Sequence, residues 1–349
     1  MPFSRVPPSH ERIEFKENLT LADIHQLSLE PELRILQCSS PVAPKTWDLI
    51  NEELLPCRTD IEIRAYGFYS SVCDLSFVAR MRNVRHFAAD CLRVAINVGC
   101  LAALENLESL SVGIHNLQNF DFLAEIPSGI THLSLVATKS KKPQLNLLAR
   151  FRCLKTLYLE AQQNEIEALS ELSMLEDLTL RSISTSGLGF LAGLDHLWSL
   201  DVKLGGIRDL SEIQGKQSIK YLELWQILGL RDVTVVSTLC NLQYLYLQSL
   251  RNVIAIPDLS KLRKLRRLYL ENMKALADVS AVLRSPSLQE FIHISAQNVR
   301  PAQYEDLPGI KTLRNVLVGF GSRKKNQQFE ALLRQSGIEL FQGSEFVFE

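Results

Sequence analysis

The sequence predicts an α/β solenoid: a curved parallel sheet on a concave side, short helices or 3-10 turns on the convex side, and a cap at each end. Three observations predict it. One apolar phrase recurs eleven times, its spacing never leaves 21–25 residues, and 60 of the 349 residues are leucine. Self-similarity at that period is the signature of stacked repeats.

The phrase reads apolar-x-x-apolar-x-apolar. It appears as LESLSV from Leu107, ITHLSL from Ile130, LKTLYL from Leu154, LEDLTL from Leu175 and LWSLDV from Leu197. It continues as IKYLEL from Ile219, LQYLYL from Leu242 and LRRLYL from Leu265. Looser copies are VRHFAA from Val84, LQEFIH from Leu288 and LRNVLV from Leu313. Positions four and six fall on one side of a strand, because side chains alternate with a period of two. One unit is too small to close a core, and stacking turns the pairs Leu157/Leu159, Leu200/Val202 and Leu245/Leu247 into a continuous apolar column.

The pattern resembles the leucine-rich repeat family, with internalin-like short units of about 22–23 residues. The resemblance covers residues 84–320, and more loosely 30–83, where LRILQC and IEIRA read as degenerate copies. It implies a short helix or 3-10 turn in the second half of each unit, as IRDLSEIQ, IPDLSKL and VSAVLRS suggest. The sequence departs from the family where an asparagine usually follows the strand. His115, Gln162, Gly205 and Met273 stand there, so these loops must satisfy their backbone groups in other ways.

The array is expected over residues 51–320. Residues 1–50 read as an N-terminal cap, with a short helix suggested by Leu19, Leu21, Ile24, Leu27 and Leu29. Residues 321–349 read as a C-terminal cap, with a helix from about Lys325 to Gln335, Gly337 as its stop and IELF as a final strand. GSRKKNQQ, at 321–328, reads as the solvated start of that helix.

Composition narrows the function. With 38 Lys and Arg against 39 Asp and Glu, and 46% apolar residues, the chain is globular and nearly neutral. That disfavours a nucleic-acid or acidic-membrane surface. No apolar run approaches the 18 residues a membrane helix needs, and MPFSRVPPSHERIEFKE lacks the apolar core of a secretory signal. The seven cysteines are odd in number and none is spaced C-x-x-C, so no zinc site is expected. Cys38, Cys91 and Cys153 are expected as small apolar fillers in a reducing compartment, the cytoplasm.

Chemical motifs are weak. Gly187, Gly189 and Gly193 in SGLGFLAGL miss the phosphate-binding spacing. No H-E-x-x-H or G-x-S-x-G occurs. His293 takes the place of an apolar residue at position six, and is either buried and hydrogen-bonded or marks a shifted register. No catalysis, cofactor or metal is expected.

The residues between the leucines are more informative. Positions three, five and seven point away from the core, and successive repeats set them in columns. The four repeats from Leu197 to Leu265 read Ser199, Asp201, Lys203; then Tyr221, Glu223, Trp225; then Tyr244, Tyr246, Gln248; then Arg267, Tyr269, Glu271. Trp198 borders this set, Arg181 adds to its charged rim, and Tyr158 shares the middle column further back. The earlier repeats offer only His86, Ala88, Asp90, Ser109, Ser111, Gly113, His132, Ser134 and Val136, which would leave a flat surface. Tyr, Trp and Arg dominate binding hot spots, although aromatic pairs on neighbouring strands also steady a sheet by about 0.2–1 kcal/mol each. Tyr158, Arg181, Trp198, Asp201, Lys203, Tyr221, Glu223, Trp225, Tyr244, Tyr246, Arg267, Tyr269 and Glu271 are therefore the expected partner-binding residues. The sequence predicts a non-catalytic, cytoplasmic module that binds a protein partner, with an inhibitor, immunity or regulatory role. The alternatives are the substrate-recognition part of an effector or ubiquitin-ligase-type enzyme, and a receptor-like ligand sensor.

Overall fold

In the computed structural model, which describes residues 2–6, 8–334 and 336–349, each apolar phrase is a short strand and each interval a turn that returns the chain to the next strand. Met1 and Pro7 of the expected N-terminal cap, and Gln335 of the expected helix, lie outside the described residues. The chain packs as two compact units, Met1–Leu175 and Glu176–Glu349.

In the first unit the strands Arg12–Phe15, Ile35–Cys38, Glu62–Tyr66, His86–Leu92, Ser109–Ile114, His132–Leu135 and Thr156–Glu160 lie side by side and parallel. Phe3–Arg5 adds an antiparallel strand to Arg12–Phe15. Both degenerate phrases, LRILQC and IEIRA, thus supply strands. A helix at Leu21–Ser28 begins at a capping box. Thr20 Oγ1 accepts from the Asp23 amide, and Asp23 accepts from the Thr20 amide.

In the second unit the parallel strands are Asp177–Arg181, Ser199–Lys203, Tyr221–Trp225, Tyr244–Gln248, Arg267–Glu271, Glu290–Ile294, Asn315–Val318 and Glu339–Leu340. Their pairing is residue for residue. Leu178, Leu200, Leu222, Leu245, Leu268, Phe291 and Val316 form one fully buried column, and Leu180, Val202, Leu224, Leu247 and Leu270 the next. Burying each such side chain is worth about 1.5–3 kcal/mol, so a slip of one residue, which would turn both columns outward, is strongly disfavoured. The helix Arg323–Leu333 starts at Ser322, whose hydroxyl accepts from the Lys325 amide.

Two devices carry the chain off each strand. In eight repeats the residue after position seven has a positive φ: Cys91, Ala161, Ser182, Leu204, Gln226, Ser249, Asn272 and Ser295, between +49° and +62°. This left-handed step, uncommon outside glycine, turns the strand aside so that Ile183, Ile227, Leu250 and Met273 bury next. Further on, Asp209, Asp232 and Asp278 accept from the amides of Ser211, Thr234 and Ser280 at 2.7–2.8 Å and open the turns Ser211–Ile213, Thr234–Thr238 and Ser280–Arg284. IPDLSKL, expected as a short helix or 3-10 turn, makes a turn that does not extend into a helix. A single bond from the Leu262 amide to the Leu259 carbonyl closes it.

The missing asparagines are replaced individually. Gln162 is 1% exposed, and its amide donates to Thr138 Oγ1 at 3.0 Å and to the Ser140 carbonyl at 3.3 Å. Gly205 answers a close approach, since a Cβ there would stand 2.1 Å from the Ile183 carbonyl oxygen, which accepts from the Gly206 amide. Gly205→Ala is expected to cost about 2 kcal/mol, read as a lowered denaturant midpoint. Gly187→Ala, whose Cβ would meet nothing nearer than 4.0 Å, should stay close to wild type.

His293 keeps register, paired with Leu270 and Val318. It is buried, with Nδ1 2.6 Å from the Tyr304 hydroxyl, and burial pushes its pKa down to about 4. The unfolded chain takes up this proton near pH 6.5 and the folded chain only near 4. The stability of the neutral, buried imidazole is therefore complete above pH 6.5 and declines as the pH falls toward 4, by about 2 kcal/mol at pH 5. His293→Leu should be less stable at pH 7, where it strands the Tyr304 hydroxyl. Its unfolding midpoint should nonetheless fall less than the wild type's between pH 7 and pH 5.

The cysteine expectation holds for Cys38, which is buried, and fails for Cys91 and Cys153, which are exposed. Cys91 is the left-handed residue after its strand, and Cys153 stands in the turn before its own, so neither reaches the core. Among the described residues no helix is long and apolar enough to cross a membrane.

Candidate partner-binding face

The alternation that buries positions four and six directs three, five and seven to the open side of the sheet. In the second unit the register sets Ser199, Tyr221, Tyr244, Arg267 and Glu290 in the third column. Thr179, Asp201, Glu223, Tyr246 and Tyr269 form the fifth, and Arg181, Lys203, Trp225, Gln248 and Glu271 the seventh. Tyr158 is the fifth-position residue of the Thr156–Glu160 strand in the first unit, where its hydroxyl lies 3.4 Å from Glu160 Oε2.

Neighbouring rings touch edge to face. Tyr221 and Tyr244 have centroids 5.1 Å apart, and Tyr246 and Tyr269 4.6 Å, the geometry aromatic quadrupoles favour. The Tyr246 hydroxyl donates to Glu271 Oε2 at 2.8 Å. The Arg181 guanidinium carbon stands 5.8 Å from the centre of the Trp225 ring. These rings are half-buried.

A charged knot lies beside them. Lys203 Nζ is 3.0 Å from Asp201 Oδ2 and 3.3 Å from Glu223 Oε1, and the Tyr221 hydroxyl donates to Glu223 Oε2 at 2.6 Å. Burial, and then the Glu223 carboxylate, push Asp201 up to about 7. Burial works against the Lys203 charge, but the Asp201 and Glu223 carboxylates outweigh it and hold its pKa above the usual value.

Two residues expected on an exposed charged rim are buried instead. Glu223 is 7% exposed and Arg267 5%. For Glu223 the Lys203 ammonium and the Tyr221 phenol close over the carboxylate. For Arg267 the cover is the 341–349 segment, which the repeat pattern does not reach. After the strand Glu339–Leu340, Gly343 turns at φ +87°, and the chain then crosses the strands over positions two and three. Phe346 packs on Tyr244 at 5.2 Å, and Phe348 on Trp198 at 5.1 Å and Tyr221 at 6.1 Å. Arg267 Nη2 donates to the Ser344 hydroxyl at 2.8 Å, and its guanidinium carbon lies 5.1 Å from the centres of both Phe341 and Phe346. Lys220 Nζ and Gln243 Nε2 donate to the Glu349 carbonyl at 2.7 and 3.0 Å, and Arg266 Nη1 pairs with the Glu349 carboxylate at 3.2 Å. The signal for this segment in the sequence is the alternation of EFVFE. Phe346 and Phe348 face the sheet, while Val347 between them is 73% exposed.

Among the described residues no three of His, Cys, Asp and Glu gather as a metal site. No family model and no curated protein matches the sequence. Solved structures do. The chain is similar to an internalin (inlF) from Listeria monocytogenes at 18% identity and TM-score 0.58, over 96% of this chain and 87% of that one. It is also similar to the receptor in a TLR13–ssRNA13 complex, at 18% identity and TM-score 0.53, over 87% of this chain and 45% of that one. A chain of the mouse RP105/MD-1 complex aligns at 15% identity and TM-score 0.52, over 89% of this chain and 59% of that one. Stacked parallel strands on a buried leucine spine in each unit, with turns and short 3-10 helices between them, and these likenesses together establish that the chain has the leucine-rich-repeat solenoid fold.

Proposed function

We propose that the chain is a non-catalytic binding protein that grips a protein partner through the fifth and seventh columns of its second unit. One observation carries this reading. Tyr246, Tyr269 and Trp225 stand together on the open side of the sheet, half-exposed and beside a charged knot of both signs. Aromatic anchors bordered by polar groups suit a protein interface. The abundance of carboxylates, with Asp201 and Glu223 against Lys203 and Glu271 further along the seventh column, favours protein over a phosphate backbone, which needs excess positive charge. Among its structural neighbours, RP105 was solved in a complex with MD-1, and TLR13 in a complex with ssRNA13.

An inhibitor or immunity role in the cytoplasm is the form of this function we favour, because a steric blocker needs a face and no chemistry. The test is co-purification of the tagged chain from its native cells. A protein retained at one-to-one stoichiometry by the wild type, and absent from an equally folded Tyr246→Ala/Trp225→Ala variant, supports the reading. Retention of RNA in place of protein, lost steeply with added salt, would replace it.

A further inference from the structure

The 341–349 segment meets the face at positions two and three: Trp198, Lys220, Tyr221, Gln243, Tyr244, Arg266, Arg267 and Glu290. It lies there as a bound peptide would. Two aromatic side chains, one residue apart, pack on rings of the sheet, and the intervening residue faces solvent. Main-chain carbonyls of Ser344, Val347 and Glu349 accept from Arg267, Arg266, Lys220 and Gln243 side chains. A carboxylate meets Arg266. After Phe341, whose amide donates to the Val316 carbonyl, the backbone joins no strand ladder, so side chains of the sheet hold it in place.

We propose that positions two and three of the second unit form a peptide groove. Its partner is an extended protein segment with two aromatic residues one apart followed by an acidic residue, and residues 344–349 occupy the groove as a displaceable internal copy of that segment. This rests on the reading of the same face as a protein-binding surface and deepens it. The groove supplies recognition by side-chain pattern, and the fifth and seventh columns contact the rest of the partner. The three residues between the strand end at Leu340 and Ser344 tether the internal copy and keep it at an effective concentration of about 1 mM. The groove therefore stays closed to weak ligands and opens only to a partner that also engages the neighbouring columns.

The probe is a fluorescent, amidated peptide of residues 341–349, FQGSEFVFE, titrated by anisotropy into purified full-length protein. Phe346→Ala/Phe348→Ala empties the groove and should bind the peptide at least tenfold more tightly than the wild type. Adding Lys220→Ala and Arg266→Ala to that background should abolish binding, and a peptide with alanine at both phenylalanines should not bind. A second measurement covers the case in which the phenylalanine variant does not fold. In the unaltered chain, excess peptide should raise the hydrogen exchange of the Glu349 amide, which donates to Gln243 Oε1, at least tenfold. Equal affinity of wild type and variant, or an exchange rate that peptide leaves unchanged, overturns the groove. If the groove fails while Tyr246→Ala/Trp225→Ala still loses its protein partner, the internal copy is wrong and the binding face stands. If the peptide behaves as expected while that double variant keeps its partner, the fifth and seventh columns are the part that falls.

Discussion

Replacing Tyr246 and Trp225 together by alanine is expected to weaken partner binding by a hundredfold or more and to leave a single cooperative thermal transition. The two effects separate because the two sets of positions do. Leu222, Leu224, Leu245 and Leu247, which carry the strands holding these residues, are fully buried and untouched by the change. What the change takes from the fold is the Tyr246–Tyr269 pair, the bond from the Tyr246 hydroxyl to Glu271 and the Arg181–Trp225 approach, worth about 0.2–1, 0.5–1.5 and 0.5–1 kcal/mol respectively at partly exposed sites. Truncating a hot-spot aromatic removes about 2 kcal/mol or more of binding, so two together exceed a factor of a hundred. The measurement is affinity for the co-purified partner by calorimetry, with calorimetric and van't Hoff enthalpies of unfolding compared on the same samples. Unchanged affinity would remove these columns from the interface.

The strand framework is legible in the sequence because one number, the period of two, fixes both what is buried and what faces out. Once Leu200 and Val202 are read as inward, Asp201 and Lys203 have to stand in columns with Glu223 and Trp225, as the register has them. The turn openings are legible in principle too, since RDLS, RDVT and ADVS each place an acceptor two residues before the amide it receives. The left-handed step after eight of the strands is not. Ala161, Leu204 and Gln226 carry it with none of glycine's freedom, so tertiary packing imposes a conformation that the residue type does not announce. Least legible is the 341–349 segment. Lys220 and Glu349 are 129 residues apart, and no repeat period links the segment to the strands it crosses. The alternation in EFVFE indicates an extended stretch with one apolar side, but not which surface receives it. The burial of Arg267 follows from that packing alone, which is why it reads as an exposed rim residue in the sequence.

Arg267→Ala is the second large effect expected, and it acts on stability. In the third column this guanidinium pairs with the Glu290 carboxylate and lies 5.2 Å from the centre of Tyr244 and 5.1 Å from the centres of Phe341 and Phe346. It also donates to the Ser344 carbonyl and hydroxyl. Its side chain is 6% exposed and that of Glu290 18%, so removing the cation leaves a largely desolvated carboxylate without its partner. Breaking such a pair from one side costs about 3 kcal/mol, and stripping the cation from three ring faces adds to this. Arg267→Lys should recover only part of the deficit, because an ammonium can neither lie flat among three rings nor serve Glu290 and Ser344 with one rigid fork. Glu290→Gln should be milder than Arg267→Ala, since it removes a charge while keeping an acceptor and leaves the guanidinium its bonds to Ser344. Denaturant unfolding of the three variants gives the order Arg267→Ala, Arg267→Lys, Glu290→Gln, from least to most stable. In Arg267→Ala the amide of Glu349, which donates to Gln243 Oε1 at 2.9 Å, should lose hydrogen-exchange protection under native conditions, because the ring-stacked cation that seats Phe346 is gone. Full rescue by lysine would reduce the role of Arg267 to its charge and leave the ring stacking without energetic weight.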